Sequence, residues 1–435
     1  MKKILITIIL STLLLFIIII NYETLKTTKI FYSIKRHLSF NLHPDVSTFI
    51  RIITNVDGNL FSHYNNDYMV NFLPRTQFIK DIDLKKIKLN FLKKNKFSYK
   101  YSFEIINDYL IIVTNDGQFY VEKIDNIINN NSDKINFEKL NTNLYDLILP
   151  EYLVDSAISD IFVDNGNIYI LAHEKKNNCK IIYLLSGSFN LNSISFNKIF
   201  STQNIIECVT KDTNAGRIQL QKVIEKENLL ISFSNKAMNG EVYKKLSELE
   251  DESVSEFGNI LSINKKNKDY EIFASGFRNI LGLYVDEEVI LATDNGPRGG
   301  DEINKVIYGK HYGWPYASYG SKYNESDAPV YKKSHKKYGF QEPIYSFVYA
   351  LGIAEIIKLE NNFAQMWQNN FLVSTMNGKH LLRIKFDENF DKIIYNEKIF
   401  IGERVRDLKY DSKNKRIFIG LNSSGSLGVI SKISQ

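Results

Sequence analysis

NNFLVSTMNGKHLLRI, residues 369–384, sets a β-rich apolar run against a polar turn and then a second β-rich run. The same order recurs from Asn107 (NDYLIIVTNDGQFYVEKI), Asn165 (NGNIYILAHEKKNNCKIIYLL), Glu227 (ENLLISFSN, continued by GNILSI at Gly258), Asp286 (DEEVILATDNG, continued by INKV at Ile303) and Asn414 (NKRIFIGLNSSGSLGVI). Most starts lie roughly sixty residues apart, and one hairpin per long repeat is the mark of propeller blades. The pattern therefore predicts an all-β chain folded as a six-bladed β-propeller, with functional residues gathered on the loops at one end of its channel. A two-sheet sandwich with long insertions is the competing architecture. A regular repeat of this length is hard to fit into it.

Composition agrees. The 435 residues are 44% hydrophobic and 24% charged, which supplies a real core and excludes a disordered polymer. Seven prolines and 22 glycines exclude a collagenous or linker-like chain, and 26 Tyr with 28 Phe favour strands. The net charge of +6 is modest and no basic block is interleaved with stacking aromatics, so nucleic acid is not an expected partner.

Lys2 and Lys3 precede an uncharged apolar run from Ile4 to Ile20, followed by Asn21, Glu23 and Lys26. A helix over that run reaches across a thin bilayer and lacks a small-x-small cleavage site. We expect an uncleaved signal anchor over 1–21, a transmembrane helix, then a juxtamembrane linker over 22–44 and the propeller over 45–435. The body is expected outside the inner (cytoplasmic) membrane, facing the periplasm or the exterior. Cys179 and Cys208 are the only cysteines. Export permits a disulfide between them, two free thiols are the other reading, and they fit no zinc or redox motif.

The stretch 274–320 reads ASGFRNILGLYVDEEVILATDNGPRGGDEINKVIYGKHYGWPYASYG. Its SGFRN, DNGPRGGDEIN and GKHYGWP segments, in that order, resemble the soluble quinoprotein family of aldose and sorbosone dehydrogenases, six-bladed propellers that oxidise sugars with pyrroloquinoline quinone (PQQ) and Ca2+. Weaker similarity runs from about Ser156 to the C-terminus through TNAGRI at Thr213, FGNILSIN at Phe257, STMNGKHLLRI at Ser374 and ERVRD at Glu403.

The resemblance implies a site. PQQ carries three carboxylates and a dione, and the planar fork of arginine suits carboxylates. Arg278 and Asn279 are implied to lie against the cofactor, with Arg278 near the reacting dione, while Arg404 and Arg406 pair with its carboxylates. Strand alternation would put Arg404 and Arg406 on one face. Gly296 and Pro297 would hold the cofactor Ca2+ through main-chain oxygens, with further calcium contacts at Glu302 and Tyr312. Trp314 and Tyr319 read as a wall beside a sugar or cofactor ring, or simply as packing.

Departures are equally specific. The family's proton-accepting His, followed after one residue by a Gly-Gly-Arg-Leu-like stretch, falls here on Thr213, and a neutral hydroxyl is a poor acceptor near pH 7. Asp212 is the adjacent provisional base. None of the seven histidines sits in that motif, and His173 and His380 read best as structural hydrogen-bonders. Asp155 stands loosely where the family has a cofactor-contacting Gln, and Asn377 where it often has a Lys, with Lys379 two residues on as a substitute. The expected function is sugar (aldose) dehydrogenation, hydride passing from a sugar C1–OH to PQQ and onward to a downstream electron acceptor, with a homodimer allowed for. The alternative is a catalytically degenerate propeller acting as a carbohydrate- or protein-binding module. A hydrolytic calcium propeller is a third, lesser reading.

Overall fold

In the computed structural model, the described residues are 82–432 apart from 95–97, 131, 133, 151–152, 177–178, 191, 203–212, 224–225, 236–256, 322–330, 332–333 and 361. The expected anchor (1–21), the linker (22–44), Cys208 and Asp212 lie outside them. Among the described residues no helix is long and apolar enough to cross a membrane.

After β1 (Ile82–Lys88), the chain lays down strands in fours. Blade 1 is β2 (Tyr101–Ile106), β3 (Tyr109–Thr114), β4 (Phe119–Lys123) and β5 (Glu138–Thr142). Blade 2 is β6 (Leu153–Asp164), β7 (Asn167–Lys176), β8 (Cys179–Asn190) and β9 (Ser193–Ser201). Blade 3 is β10 (Thr213–Val223), β11 (Lys226–Asn235), β12 (Asn259–Asn264) and β13 (Tyr270–Ser275). Blade 4 is β14 (Ile280–Val285), β15 (Ile290–Asp294), β16 (Asp301–Lys305) and β17 (Tyr345–Phe347). Blade 5 is β18 (Ile353–Lys358), β19 (Phe371–Thr375), β20 (His380–Phe386) and β21 (Ile393–Phe400). Blade 6 is β22 (Val405–Asp411), β23 (Arg416–Leu421) and β24 (Ser426–Lys432), completed by β1, which pairs antiparallel with β24 from Ile82↔Lys432 to Lys88↔Ser426.

The first strands of successive blades pack side by side, β2 on β6, β6 on β10, β10 on β14, β14 on β18 and β18 on β22, and β22 returns to β2. The ring is thereby closed in the manner of a propeller, and each repeat seen in the sequence is the middle hairpin of one blade. Blades 1 and 2 are further joined by a short parallel pairing of their outer strands, Asn141↔Ser193 and Thr142↔Ile194, so that they form one eight-stranded sheet. The sequence repeat gives no sign of that bridge.

Middle strands are apolar without interruption because each blade is covered on both faces by its neighbours. In β3, the residues Leu110, Ile111, Ile112 and Val113 are all buried. Leu110 and Ile112 pack toward β1 and blade 6, while Ile111 and Val113 pack toward blade 2. Glycines let the first strands approach. A Cβ on Gly216 would overlap the Ile280 carbonyl oxygen and the Ser232 hydroxyl.

Candidate functional site

With antiparallel blades, the connections leading into each first strand and those between second and third strands share one end of the ring. Most residues singled out around the cofactor fall in these connections or next to them, whereas Tyr312 lies between the third and fourth strands of blade 4. Thr213 opens β10, Arg278 and Asn279 precede β14, Gly296 and Pro297 lie between β15 and β16, Asn377 and Lys379 lie between β19 and β20, and Arg404 precedes β22. Asp212 immediately precedes β10, outside the described residues, and the side chains of Asp155 and Thr213 are likewise not described.

Carboxylates tie these loops together. Asp294 accepts the backbone N–H groups of Arg278 (2.9 Å) and Asn279 (2.5 Å), which fixes the turn that presents both residues. The Arg278 guanidinium donates to the carbonyls of Asn295 (2.6 Å) and Gly296 (3.3 Å) and lies 5.5 Å over the Trp314 ring. Asp301 accepts from Gly296 N–H and from Ile353 N–H, each at 3.1 Å. Burial pushes its carboxyl up to about 7, against the lowering pull of those N–H groups and of Arg278. Beyond Ile353, Asn377 N–H donates to Leu351 O (2.8 Å), and the Asn377 side chain accepts from Arg404 Nη1 at 2.5 Å. An unbroken chain of contacts thus runs from Arg278 to Arg404. Lys379 is buried beside Arg404, and burial, then that neighbouring charge, lowers its pKa.

Arg404 and Arg406 do not share a regular strand face. Arg404 lies outside β22, and the β22–β23 register shifts between Val405 and Leu408. Arg404 reaches sideways to blade 5, whereas the half-buried Arg406 side chain forms no hydrogen bond or ion pair with any described residue. Burial, then the charge of Arg217, lowers the Arg406 pKa.

Below this rim lies a buried charge cluster that sequence reasoning missed. Nη1 of Arg217 in β10 hydrogen-bonds Asp160 of β6 (2.7 Å) and forms ion pairs with Glu355 of β18 (3.2 Å) and Asp407 of β22 (3.3 Å). Its Nε donates to Leu281 O of β14 (2.7 Å), and its Nη2 donates to Arg406 O (3.2 Å). Lys409 of β22 pairs with Glu104 of β2 at 2.7 Å. Burial alone would lower the Arg217 pKa, but Asp407, Glu355 and Asp160 raise it, so its charge is permanent. Burial raises Asp160 and Glu355, with Arg217 opposing in both. In blades 2 to 6 the pairing of first and second strands slips at the level of this cluster: Ile158/Asp160, Ala215/Ile218, Ile280/Gly282, Ile353/Ile356 and Val405/Leu408. Such bulges re-aim a side chain, and here they accompany the turn of charged groups and a carbonyl toward the channel.

The Gly-Pro loop offers oxygens. Pro297 O accepts Ser321 N–H at 2.7 Å and Gly296 O accepts Arg278, leaving each carbonyl a second lone pair. A cavity of about 10 Å3, room for about one water-sized species, is bordered by Gly296, Asp294, Glu302, Arg278 and His335. Glu302 lies 3.7 Å from His335, and burial, reinforced by Asp294, raises its pKa well above the ordinary range. The Tyr312 hydroxyl is engaged by the backbone, donating to Lys305 O (2.5 Å) and accepting from Ile307 N–H (2.9 Å). Among the described residues no three His, Cys, Asp or Glu side chains form a metal cage. A hard cation here would rest on the carbonyls and on a ligand of its own. His173 and His380 are buried and hydrogen-bonded to Ser159 Oγ (3.2 Å) and Gly378 O (2.6 Å). Trp314 donates to Asn235 O (2.8 Å) and Tyr319 to Glu342 (2.8 Å).

The blades form a closed ring whose one end collects four cations, Arg278, Lys379, Arg404 and Arg406. The Glucose / Sorbosone dehydrogenase family matches residues 152–428, and the chain belongs to it. It is similar to an uncharacterized protein of Synechocystis sp. (31% identical over 141 residues, 32% of this chain and 34% of that one). It is also similar to aldose sugar dehydrogenase YliI of Escherichia coli (27% over 161 residues, 36% and 43%). The match thus spans less than half the length of either relative. Among solved structures, one of glucose dehydrogenase superimposes with a TM-score of 0.62 at 16% identity, covering 81% of this chain and 99% of that one. PQQ-bound aldose sugar dehydrogenase of Streptomyces coelicolor superimposes at 0.54 and 12%, covering 81% and 98%. At these identities the likeness shows the fold.

Proposed function

We propose that the chain is a PQQ-dependent aldose dehydrogenase, tethered by residues 1–21 to the outer face of the cytoplasmic membrane. The observation that carries this reading is Arg406, a half-buried channel cation without a hydrogen-bonding partner among the described residues, at the same end as Arg278, Lys379 and Arg404. A buried cation left unpaired is costly unless an anion completes it. The donor set fits a planar tricarboxylate.

When bound, PQQ supplies a dione that accepts hydride from the sugar C1. Arg406, Arg404 and Lys379 would hold its carboxylates. Arg278, clamped by Asp294 and by the Asn295 and Gly296 carbonyls, would place its charge beside the dione. Asn279, its backbone held by the same carboxylate, would orient the ring. Gly296, Pro297 and Glu302 are the oxygen donors that suit Ca2+, with Tyr312, its hydroxyl engaged by the backbone, a further contact. Asp212, preceding Thr213, would take the proton of the C1 hydroxyl. A downstream electron acceptor is the remaining partner this reading requires.

The test is spectral titration of the full-length chain in detergent with PQQ and Ca2+, followed by mixed aldoses. Saturable binding and sugar-dependent bleaching are expected. No binding by folded protein at micromolar PQQ overturns the reading. Asp212→Asn is expected to slow bleaching about a hundred-fold or more at unchanged PQQ affinity, the usual worth of a general base. Binding without bleaching by any aldose would favour the degenerate binding module, for which Thr213 in place of His is the supporting observation.

A further inference from the structure

Two arginines meet at the channel, and their partners are divided unequally. Arg217 takes the nearby carboxylates of blades 2, 5 and 6, Asp160, Glu355 and Asp407, and also holds Arg406 by its main-chain oxygen. Arg406, whose guanidinium feels the charges of Arg217, Asp407 and Asp160, bonds none of them. Ser374 Oγ adds a second contact to Arg406 O at 3.4 Å.

We propose that Arg217 is a positioning residue for anion binding: by occupying Asp160, Glu355 and Asp407 and fixing the Arg406 backbone, it keeps the Arg406 guanidinium free for an anionic ligand. Without it, the uncompensated carboxylates, two of which already act on Arg406, would capture that guanidinium, because an isolated buried charge seeks the nearest opposite one. Lysine is an incomplete replacement. It keeps the charge but cannot hydrogen-bond Asp160, Leu281 O and Arg406 O at once from three nitrogens of one fork. The proposal takes only the identity of the anion from the cofactor reading above.

A 1,2-dicarbonyl reagent, phenylglyoxal, reports the freedom of an arginine directly. The full chain is modified, and Arg406 is followed by peptide mass mapping against Arg416, whose guanidinium bonds Asn414 O and Lys415 O, as internal standard, in parallel with the PQQ titration. In the wild type, Arg406 is expected to react, and PQQ to protect it. In Arg217→Gln, Arg406 modification and PQQ affinity are each expected to fall about tenfold or more, the scale of one hydrogen bond to a charged group. In Arg217→Lys both are expected to fall about threefold, partial rescue by the conservative change. Arg217→Lys decides the matter where Arg217→Gln does not fold. A merely structural Arg217 would lower the melting temperature yet leave Arg406 reacting at the wild-type rate or faster in folded protein, and that result overturns the proposal. Failure of wild-type protein to bind PQQ would refute the cofactor reading alone, since the dicarbonyl rates still decide this one.

Discussion

Arg406 and Asp301 show how differently single residues serve the same loops. The Arg406 side chain forms no hydrogen bond with any described residue, so Arg406→Gln is expected to weaken PQQ binding tenfold or more, about the worth of a charge-assisted bond, while the melting temperature stays level or rises. A titration combined with thermal melts checks both. Asp301 does the opposite work, holding the Gly296 and Ile353 N–H groups. Its carboxyl rises from 3.8 when unfolded to about 7 when folded, mainly through burial. Between those values the folded chain keeps a proton that the unfolded chain has lost, so stability contributed by this group falls as pH rises across the window. Asp301→Asn should flatten that part of the melting-temperature profile between pH 4 and 8. It should also lower the curve by about 1–3 kcal/mol, because an amide NH2 would face one of the two N–H donors. An unchanged slope would assign the pH dependence elsewhere.

At the scale of elements, the first strand of each blade decides what the channel contains. Its bulges sit at Asp160, Arg217, Leu281, Glu355 and Asp407, five strands aiming one group each at a common point. Several freed N–H groups are taken up by the same carboxylates: Ile356 N–H by Glu355 (3.0 Å), Leu408 N–H by Asp407 (3.1 Å) and Ile218 N–H by Asp160 (2.8 Å). Gly216 permits β10 to lie against β14 at this level, its missing Cβ leaving room for Ile280 O. Gly216→Ala is expected to cost about 1–3 kcal/mol by overpacking, and to weaken PQQ binding as well, since Arg217 is its neighbour. Thermal melts with the PQQ titration test this; an unaltered affinity would uncouple strand spacing from the site. The middle hairpins were legible as sequence repeats. The first strands were not, because charges such as Glu104, Asp160 and Asp407 interrupt their apolar runs and read as solvent-facing.

Across the whole molecule, the ring is closed where β1 joins the last three strands. β1 supplies the outer strand of blade 6, and Ile87 of β1 packs with Phe418 and Val429 of blade 6 and with Phe103 of blade 1. Ile87→Ala, at a fully buried position, is expected to cost about 2–5 kcal/mol. A chain starting after Lys88 leaves β24 as an unpaired edge, an invitation to intermolecular pairing. Light scattering of the truncated chain should show self-association that the full chain lacks; a monodisperse, cooperatively melting truncation would show that closure does not depend on β1.

The sequence by itself determined the β class, the six repeating hairpins and the motifs around Arg278, Gly296 and Arg404, because these depend on local apolar runs, turns and short spacings. It also located the departure at Thr213. The tertiary structure alone decided that β1 closes the ring and that blades 1 and 2 share an edge. It alone separated Arg404, bonded to Asn377, from Arg406, whose side chain bonds no described residue, and it assembled Asp160, Arg217, Glu355 and Asp407 into one cluster. Asp160 and Asp407 are some 250 residues apart along the chain. Only a closed ring of first strands brings such groups within bonding distance, and no local pattern encodes which of two neighbouring arginines will take the carboxylates.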